Sequence, residues 1–516
     1  LGMQSYSKDN SSKIKKSEIS IAKNYLKEGE IKLLGLIVEQ YLAFAETMAL
    51  ENTPMYMKDW VARLDIIVQL NGKELLTHAG KISHQMASNT GSSIVKASGS
   101  QASIEGAYRF LRNDKVDADN IATAGLNSLL PTITLSNTIL ALEDTSTLCY
   151  RHNVTKELGH TGAYKQSSSK GMLAHTVLMV DAETERTIGL GAQHRWCRTD
   201  ENFGTANDRK RRKYETKESY KWQRSSEEMS TRFADVMDNI ISVCDRESDM
   251  FEYIDYKTIN NQRFVVRAKH ERVVNADGDK LSPYIENQSS EASYSVKIQQ
   301  KGGRKARIAK VAVRYACITI YPPKKHKKLG GMNLTVISCN EIDPPSGTSP
   351  LSWKLYTGEP INSASDALKI VRFYELRWRV EEFHKAWKSA GTQVESFRMQ
   401  TRNNLEKIIV ITAFIAVRLL QLRELVVDKD NAKSISCDNF FNLLEWKLLW
   451  SKTETKKAPN TTPSLHWAYY ALAKLGGWHN SKQTGVVGWE ALWKGWFSLS
   501  QLLEGARFMQ AQQQEM

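Results

Sequence analysis

The chain has 516 residues and a mass of 58.5 kDa, and 41% of its residues are hydrophobic, which is enough for two to four domains with buried cores. Lysine and arginine number 71 against 57 aspartates and glutamates, giving a formal charge of +14 and a pI near 9.2. This excess of positive charge favours a polyanionic partner, and nucleic acid is the first candidate.

Composition also excludes several classes of protein. The six cysteines form no CxxC pair and no zinc-binding spacing with histidine, so neither a zinc site nor a disulfide scaffold is predicted. The longest apolar stretch, 408–417, is shorter than the ~20 residues that span a bilayer. The sequence therefore predicts a soluble cytoplasmic protein, without a membrane partner.

The first 90 residues predict a basic arm followed by helices. Residues 1–18 are polar and poor in large apolar side chains, as is typical of a disordered segment. Residues 19–90 include LLGLIVEQYLAFAETMAL, in which apolar residues recur at helical spacing. Together they predict a small helical N-terminal unit.

The middle of the chain predicts an α/β structure that is interrupted by strands alone. Short β-prone runs alternate with helix-prone segments from about 130 to 270: TILALED, HTVLMVD, TIGLGAQ, NIISVCD and RFVVRAK. Between 285 and 358 strands follow one another: SYSVKIQQ, RIAKVAVRYACITI, NLTVISCNEI and SWKLYTGE. We interpret this second stretch as an all-β insertion.

Helices resume at 363–390 and 404–425 and continue into a tryptophan-rich tail. In the tail an apolar stripe at helical spacing predicts a surface that requires a partner; its members are Leu492, Trp496, Leu499 and Leu503.

Two of the predicted strands lead to an aspartate, LALED to Asp144 and ISVCD to Asp245. The carboxyl ends of buried strands face the crevice where α/β proteins bind ligands, so both aspartates are candidate site residues. A single aspartate in this position is more often a turn former or a helix cap, and that alternative stays open for each.

The helix-prone stretch YELRWRVEEFHKAWK at 374–388 supplies a third carboxylate, Glu381. At about 100° per residue, Glu381 shares a sector roughly 60° wide with Tyr374, Arg377 and Lys388. Such a face could be a solvated stripe of charge pairs. Three carboxylates beside cations also suit phosphoryl transfer with two divalent metal ions, in which Arg377 and Lys388 stabilise the phosphate charges.

The same stretch resembles the Y-x2-R-x3-E-x6-K signature of a group of bacterial insertion-sequence transposases, whose best-known member comes from a composite kanamycin-resistance transposon. The resemblance extends over roughly residues 90–510 through further segments: EGAYRFLRN at 105–113, LEDTSTLCYRH at 142–152, VCDRESD at 243–249, RFVVRAKH at 263–270, RLLQLRE at 418–424 and SKQTGVVGWEALWKGW at 481–496.

This resemblance implies a fold and an activity. The expected fold is an RNase H-like α/β core, 118–426, with a β insertion at about 255–368, between a helical DNA-end-binding domain, 1–117, and a helical dimerisation domain, 427–516. The expected activity is cut-and-paste transposition: nicking at the transposon ends, hairpin formation, hairpin opening and strand transfer into target DNA. The implied partners are double-stranded DNA and a second copy of the chain in a synaptic complex.

Site residues follow from the resemblance by position. Asp144, Asp245 and Glu381 resemble the catalytic DDE carboxylates, which hold two Mg²⁺ ions, with Mn²⁺ as a substitute. Trp353 resembles the tryptophan that receives a flipped base, although a strand tryptophan is by default a core residue. The resemblance further implies DNA contacts for five residues: Tyr374, Arg377 and Lys388 at the phosphate beside that base, and Arg267 and Lys385 at nearby end DNA. No role is assigned to His384 or Glu247.

Before residue 90 the resemblance is lost. Residues 70–81, LNGKELLTHAGK, replace the arginine-rich run of the group, so the residues that read the transposon end are not identified. Two other functions remain: an inactive or inhibitory DNA-binding relative, which intact carboxylates disfavour, and a metal-dependent RNase H-like nuclease, which does not account for the tryptophan or the Tyr/Arg/Lys set.

Overall fold

The computed structural model describes residues 101–133, 137–162, 169–199, 208, 211–275, 277–298, 306–323, 330–388, 392–427, 429–479, 481, 487–492, 494–496, 498, 499, 501–503 and 506. All of them fall in one compact unit that spans residues 85–516. The predicted basic arm and the predicted helices before residue 90 lie outside the described residues.

Twelve strands of the described residues form one mixed sheet. They are β1 Ile139–Tyr150, β2 Gly159–His160, β3 Lys170–Asp181, β4 Thr187–Trp196, β5 Ile240–Cys244, β6 Arg263–Arg267, β7 Val273–Val274, β8 Asp279–Lys280, β9 Ala292–Ile298, β10 Arg307–Ile320, β11 Met332–Glu341 and β12 Ser352–Thr357. Their order is β2-β3-β1-β5-β6-β12-β11-β10-β7-β8, with β4 beside β3 and β9 beside β10. The β-prone runs of the sequence are therefore strands.

Strand β1 differs from the prediction in its length. It does not end at Asp144 but continues to Tyr150, because β3 pairs with it in antiparallel fashion along its whole length. Its parallel pairing with β5 is shorter and runs only from Ile139 to Leu142. The parallel ladder thus ends just before Asp144, although the strand does not.

The strands predicted between 285 and 358 are present as β9 to β12, and they extend the main sheet. Strand β12 pairs with β6, where Leu355 lies opposite Arg267, and β6 is itself parallel to β5. The strands that carry Trp353 and Arg267 are therefore next to each other. Strand β6 pairs in turn with β5, the strand that leads to Asp245.

The described residues also form eleven α-helices, several of which pack on the two faces of this sheet. They are α1 Gln101–Arg112, α2 Ala118–Asn127, α3 Lys221–Arg232, α4 Phe251–Ile259, α5 Leu281–Glu286, α6 Ala364–Leu376, α7 Trp378–Lys388, α8 Arg402–Val427, α9 Lys429–Ser434, α10 Leu443–Thr453 and α11 Leu465–Leu475. None of these described helices combines the length and the apolar composition that a membrane span requires.

Side chains of β1 alternate between the two faces, as the pleat of a strand requires. Leu140 and Leu142 share a core cluster with residues of α7 and α8, whereas Ile139 and Ala141 share another with Met229 of α3. Asp144 follows the phase of Leu140 and Leu142, so it belongs to the face that α7 covers.

The segment from 364 to 388 is two helices, not the single helix that the sequence predicts. The break falls at Arg377, whose backbone is still helical at φ −52 and ψ −26, but Val380 N bonds to Arg377 O three residues back. Because this tightening is local, the residues on the two sides keep nearly the spacing of one continuous helix.

The C-terminal segment packs a core of its own around α10 and α11. Leu499 and Leu503 are buried in this core, and Leu492 and Trp496 pack against it, with the Trp496 ring centroid 5.2 Å from that of Phe441. The apolar stripe predicted to require a partner therefore has one within the same chain, because α10 and α11 supply apolar surface that the sequence pattern could not locate.

Candidate active site

The register of β1 and β5 brings two aspartates to the same place. Ile139 pairs with Ile240 and Leu142 pairs with Val243, an offset of 101 residues. Asp144 and Asp245 continue this offset two residues beyond the last pair of the ladder, and adjacent strands are about 4.8 Å apart. Asp245 also caps the following turn, because its Oδ1 accepts the backbone N–H of Glu247 at 2.8 Å.

Helix α7 brings the third carboxylate to these aspartates. Glu381 lies in the first turn of α7, and its Oε1 accepts a hydrogen bond of 2.8 Å from Nη2 of Arg377. The other terminal nitrogen of Arg377, Nη1, lies 3.9 Å from Oδ2 of Asp144. A single guanidinium thus lies between carboxylates from β1 and α7.

The charges of the other two carboxylates act on Asp144. Burial raises the pKa of Asp144 to about 6, Arg377 opposes the rise, and the charges of Asp245 and Glu381 add to it. A hydrogen bond of 2.9 Å from the backbone N–H of Thr145 to Oδ1 also opposes it. The carboxylates repel one another and are only partly neutralised by protein groups.

Three clustered carboxylates that raise a pKa in this way fit a hard divalent cation, which binds oxygen ligands and removes their repulsion. Among the described residues, however, no group of three or more Asp, Glu, His or Cys side chains lies in an arrangement that could hold a metal ion as the structure stands. The guanidinium of Arg377 lies beside two of the three carboxylates, 2.8 Å from Glu381 and 3.9 Å from Asp144.

Lys388 lies at the far end of α7 from Arg377. Its Nζ donates to the backbone carbonyl of Thr147 on β1 and lies 3.5 Å from Oε1 of Glu395. The same Glu395 oxygen accepts the backbone N–H of Cys149 at 2.7 Å. Lys388 is therefore directed at β1, three residues beyond Asp144, and sequence reasoning missed Glu395.

A second cluster lies where β12, β6 and α6 meet. The ring of Trp353 makes an edge contact with Tyr374, with centroids 5.1 Å apart, and the guanidinium of Arg267 is 6.0 Å from the Tyr374 centroid. Tyr374 is buried and Trp353 is half-buried. Lys385 is exposed on α7, with Nζ 5.2 Å from the ring centroid of Trp378.

The opposite face of β1 carries a buried polar group that sequence reasoning missed. His175 lies opposite Thr145 on β3; its Nδ1 is 2.9 Å from Thr145 Oγ1 and its Nε2 is 3.2 Å from Oε2 of Glu143. The edge of His175 contacts Trp222 at 4.5 Å between centroids. The sequence did contain a sign of this buried group. Adjacent residues of a strand point to opposite faces, so the doublet Glu143-Asp144 places a second carboxylate on the face of β1 opposite Asp144.

His384 was also missed, and it lies inside the site. His384 is buried, and its Nδ1 lies 3.7 Å from Oδ2 of Asp144. Burial, together with the nearby charge of Lys388, lowers the pKa of His384 to about 3. The signal in the sequence was its spacing, seven residues after Arg377 and three after Glu381. Glu247, by contrast, is exposed and accepts a hydrogen bond of 3.2 Å from Lys221.

Comparison with known protein families gives two matches. Residues 191–418 match the family described as Transposase DDE domain, and residues 1–101 match the one described as Virulence protein RhuM family. The first match contains Asp245 and Glu381. This match supports the interpretation of the chain as an insertion-sequence DDE transposase, which is an enzyme that acts on DNA. Transposases of this family generally use divalent metal ions. The second match covers the segment in which the resemblance found in the sequence is lost.

Proposed function

We propose that this protein is a cut-and-paste transposase that nicks DNA at transposon ends, forms and opens a hairpin, and joins the freed end to target DNA. The observation that carries the proposal is the convergence of Asp144, Asp245 and Glu381 around Arg377. Each of the four reactions is a phosphoryl transfer at the same site, and each needs the charge of a phosphate to be neutralised.

In this proposal Asp144, Asp245 and Glu381 hold two Mg²⁺ ions, for which Mn²⁺ substitutes. Bound ions of this kind lower the pKa of a nucleophilic water or hydroxyl and stabilise the leaving oxygen. The part of the chain itself is to position the carboxylates. Strands β1 and β5 fix two of them through the sheet, and α7 fixes the third through packing against β1.

The cations beside the carboxylates have a different task. Arg377 and Lys388 supply positive charge on the same side of α7 as Glu381, where the scissile phosphate must lie. Both are paired in the absence of DNA, Arg377 with Glu381 and Lys388 with Glu395. A phosphate that enters the site therefore exchanges these carboxylate contacts for its own.

Trp353 provides the stacking surface for a base that is extruded when the hairpin forms. The support for this role is the arrangement around it: Tyr374 holds the ring from one side, and Arg267, which donates to the carbonyl of Ser352 at 3.2 Å, places a cation beside it. A base flipped from the duplex loses stacking energy that an aromatic side chain recovers in part. Lys385, exposed on α7, would contact the end DNA nearby.

The synaptic complex is proposed to contain two copies of the chain. The support is the resemblance of residues 427–516 to a dimerisation region, and not the apolar stripe, which packs within the chain. The proposed division into an end-binding domain, 1–117, a catalytic domain, 118–426 with its β insertion at 255–368, and a dimerisation domain, 427–516, rests on the same resemblance.

A joining assay tests the proposal. The full chain is incubated with Mg²⁺, a duplex that carries the terminal sequence of the element, and a supercoiled target plasmid, beside the variants Glu381→Ala and Glu382→Ala. Glu382 is the matched control, since it is the next residue of α7 and lies 3.9 Å from Arg423 instead of in the site.

We expect joined product with the wild type and with Glu382→Ala, and none with Glu381→Ala. End binding without any cleavage would favour an inactive or inhibitory relative. Cleavage without joining would favour an RNase H-like nuclease.

A further inference from the structure

One buried histidine has no place in the function proposed above. Counted from Arg377, the residues at offsets four, seven and eleven are Glu381, His384 and Lys388, and this 4-3-4 spacing puts all of them on one helical face. That face covers β1. His384 is thus a member of the same stripe as the carboxylate and the two cations, and it is the only uncharged one.

The burial of His384 lowers the stability of the fold, because one of its ring nitrogens is unpaired in the described part of the chain. Its Nε2 is buried and has no hydrogen-bond partner among the described residues. An unpaired buried polar group costs about 1–3 kcal/mol, which an apolar residue of similar size would avoid. Phe383 and Trp387 of the same helix are fully buried, so an apolar side chain would suit these surroundings. Stability of the core alone does not account for an imidazole here.

The other ring nitrogen faces an acceptor. Oδ2 of Asp144 lies 3.7 Å from Nδ1 of His384 and 3.9 Å from Nη1 of Arg377, while Oδ1 already accepts the N–H of Thr145. Both donors approach the same oxygen, from positions seven residues, or two helical turns, apart on the α6–α7 segment. The separation exceeds a hydrogen bond by about 0.7 Å, which a small rotation of the carboxylate removes.

The two donors differ in charge, and the difference matters for a metal site. Arg377 brings a full positive charge that competes with a metal ion for the carboxylate. An imidazole, by contrast, can donate an N–H to a carboxylate without bringing a full charge, because its neutral form keeps one N–H. A neutral donor fixes the direction of a carboxylate and leaves its charge available to a cation.

We propose that His384 is a positioning residue for Asp144, whose carboxylate it orients for metal binding by donating a hydrogen bond from Nδ1 to Oδ2. The inference rests on the proposed function, because it assumes that Asp144 is a metal ligand. Loss of an outer-shell partner of this kind lowers metal affinity about 10–100-fold.

The test compares two amide substitutions in the full chain without DNA. The side-chain nitrogen of asparagine reaches the position of Nδ1, and that of glutamine reaches the position of Nε2. Binding of Mn²⁺ is measured from the electron paramagnetic resonance signal of the free ion for four proteins: wild type, His384→Asn, His384→Gln and Asp144→Asn. Melting temperatures in EDTA report folding separately.

We expect His384→Asn to keep the Mn²⁺ dissociation constant within about 3-fold and His384→Gln to raise it about 10–100-fold. Excess Mn²⁺ should restore end cleavage by His384→Gln, which a purely structural defect would not allow. If His384→Gln does not fold, His384→Leu takes its place as the variant without a donor.

Equal Mn²⁺ affinities in all His384 variants would overturn the inference, and so would a loss confined to His384→Asn, which would assign the contact to Nε2. In both cases a weaker affinity in Asp144→Asn would leave the proposed function intact. If wild type has no Mn²⁺ site that Asp144→Asn removes, the proposed function fails together with the inference.

Discussion

Arg377 donates a hydrogen bond of 2.8 Å to Glu381, the carboxylate one helical turn further along the chain, while its other terminal nitrogen faces Asp144 at 3.9 Å. Burial lowers the pKa of Arg377, but Tyr374 and the carboxylates of the site reverse this, and the pKa is raised overall. In the absence of metal ions, the guanidinium therefore acts as the counter-ion of the carboxylate cluster.

Arg377→Ala should destabilise the protein in EDTA, because it leaves two half-buried carboxylates without their partner, at a cost of up to about 3 kcal/mol. The free energy of unfolding in urea at pH 8 measures the effect. Arg418→Ala is the control, since Arg418 is exposed and bonds only to Gln421 among the described residues. Saturating Mn²⁺ should restore most of the lost stability, and a variant that stays equally destabilised with Mn²⁺ would contradict the counter-ion role.

Asp144→Asn should stabilise the metal-free protein at alkaline pH. The pKa of Asp144 is raised from 3.8 to about 6 in the folded state, so its contribution to stability is full below about pH 4 and is lost as the pH rises through 6. A shift of this size corresponds to at most about 3 kcal/mol. Asparagine is neutral at every pH and avoids the loss.

Unfolding in urea between pH 4 and pH 8, in EDTA, measures this difference. The variant should gain over the wild type as the pH rises and should match it near pH 4. With excess Mn²⁺ at pH 8 the order should reverse, because the ion binds the ionised wild type. A variant that is less stable than the wild type at pH 8 in EDTA would refute the assignment.

Trp353→Ala should impair the hairpin step more than the first nick. Loss of the ring removes a stacking contact worth about 1–3 kcal/mol, which corresponds to roughly 5- to 150-fold in the rate of a step that depends on it. Gel analysis of nicked and hairpin products separates the two steps, and 2-aminopurine near the end reports extrusion of the base. Trp353→Phe is the matched control and should retain most of the hairpin product. Equal loss of nicking and hairpin formation would argue against base capture.

Trp489→Ala should weaken the packing of the C-terminal segment against α7 and α8. Trp489 is buried in the cluster that contains α7 and α8; the guanidinium of Arg423 is 4.7 Å from its ring centroid and 3.9 Å from Glu382. We expect a loss of about 3–5 kcal/mol in unfolding free energy. Trp450→Ala, at a half-buried position in α10, should cost less.

Removal of residues 485–516 should also abolish most cleavage, but this deletion takes Leu499 and Leu503 out of a buried core. A loss of activity on truncation would therefore be expected from unfolding of the C-terminal segment as well as from failure to form a dimer. Sedimentation of the full chain with and without end DNA separates the two explanations, and full activity of the truncated chain would exclude both.

Much of the fold could be predicted because local patterns determine it. Strand β10 occupies the residues that its β-branched run predicts, 307–320, and α8 covers the apolar segment predicted as a helix. The break at Arg377 could not be predicted, because Arg377 has ordinary helical propensity and its backbone stays helical.

The site was predictable where its residues follow an apolar run or share a charged helix face. Asp144, Asp245 and Glu381 were found through their positions after apolar runs and on a charged face, and the structure brings them together. His384, Glu143 and Glu395 were not found, because an isolated histidine or glutamate gives no sign in the sequence of what lies across from it. Only the register of β1 with β3 and the packing of α7 reveal those partners.

Because β1 and β5 pair in parallel, insertions and deletions in the loops between them should be tolerated. The spacing of Asp144 and Asp245 comes from the peptide backbone of two paired strands, and not from the hundred residues that connect them. Added or deleted residues in the connection from Ala182 to Arg186, or in other loops between these strands, leave that spacing unchanged. A single residue inserted within β5 itself would turn Asp245 to the other side of the sheet.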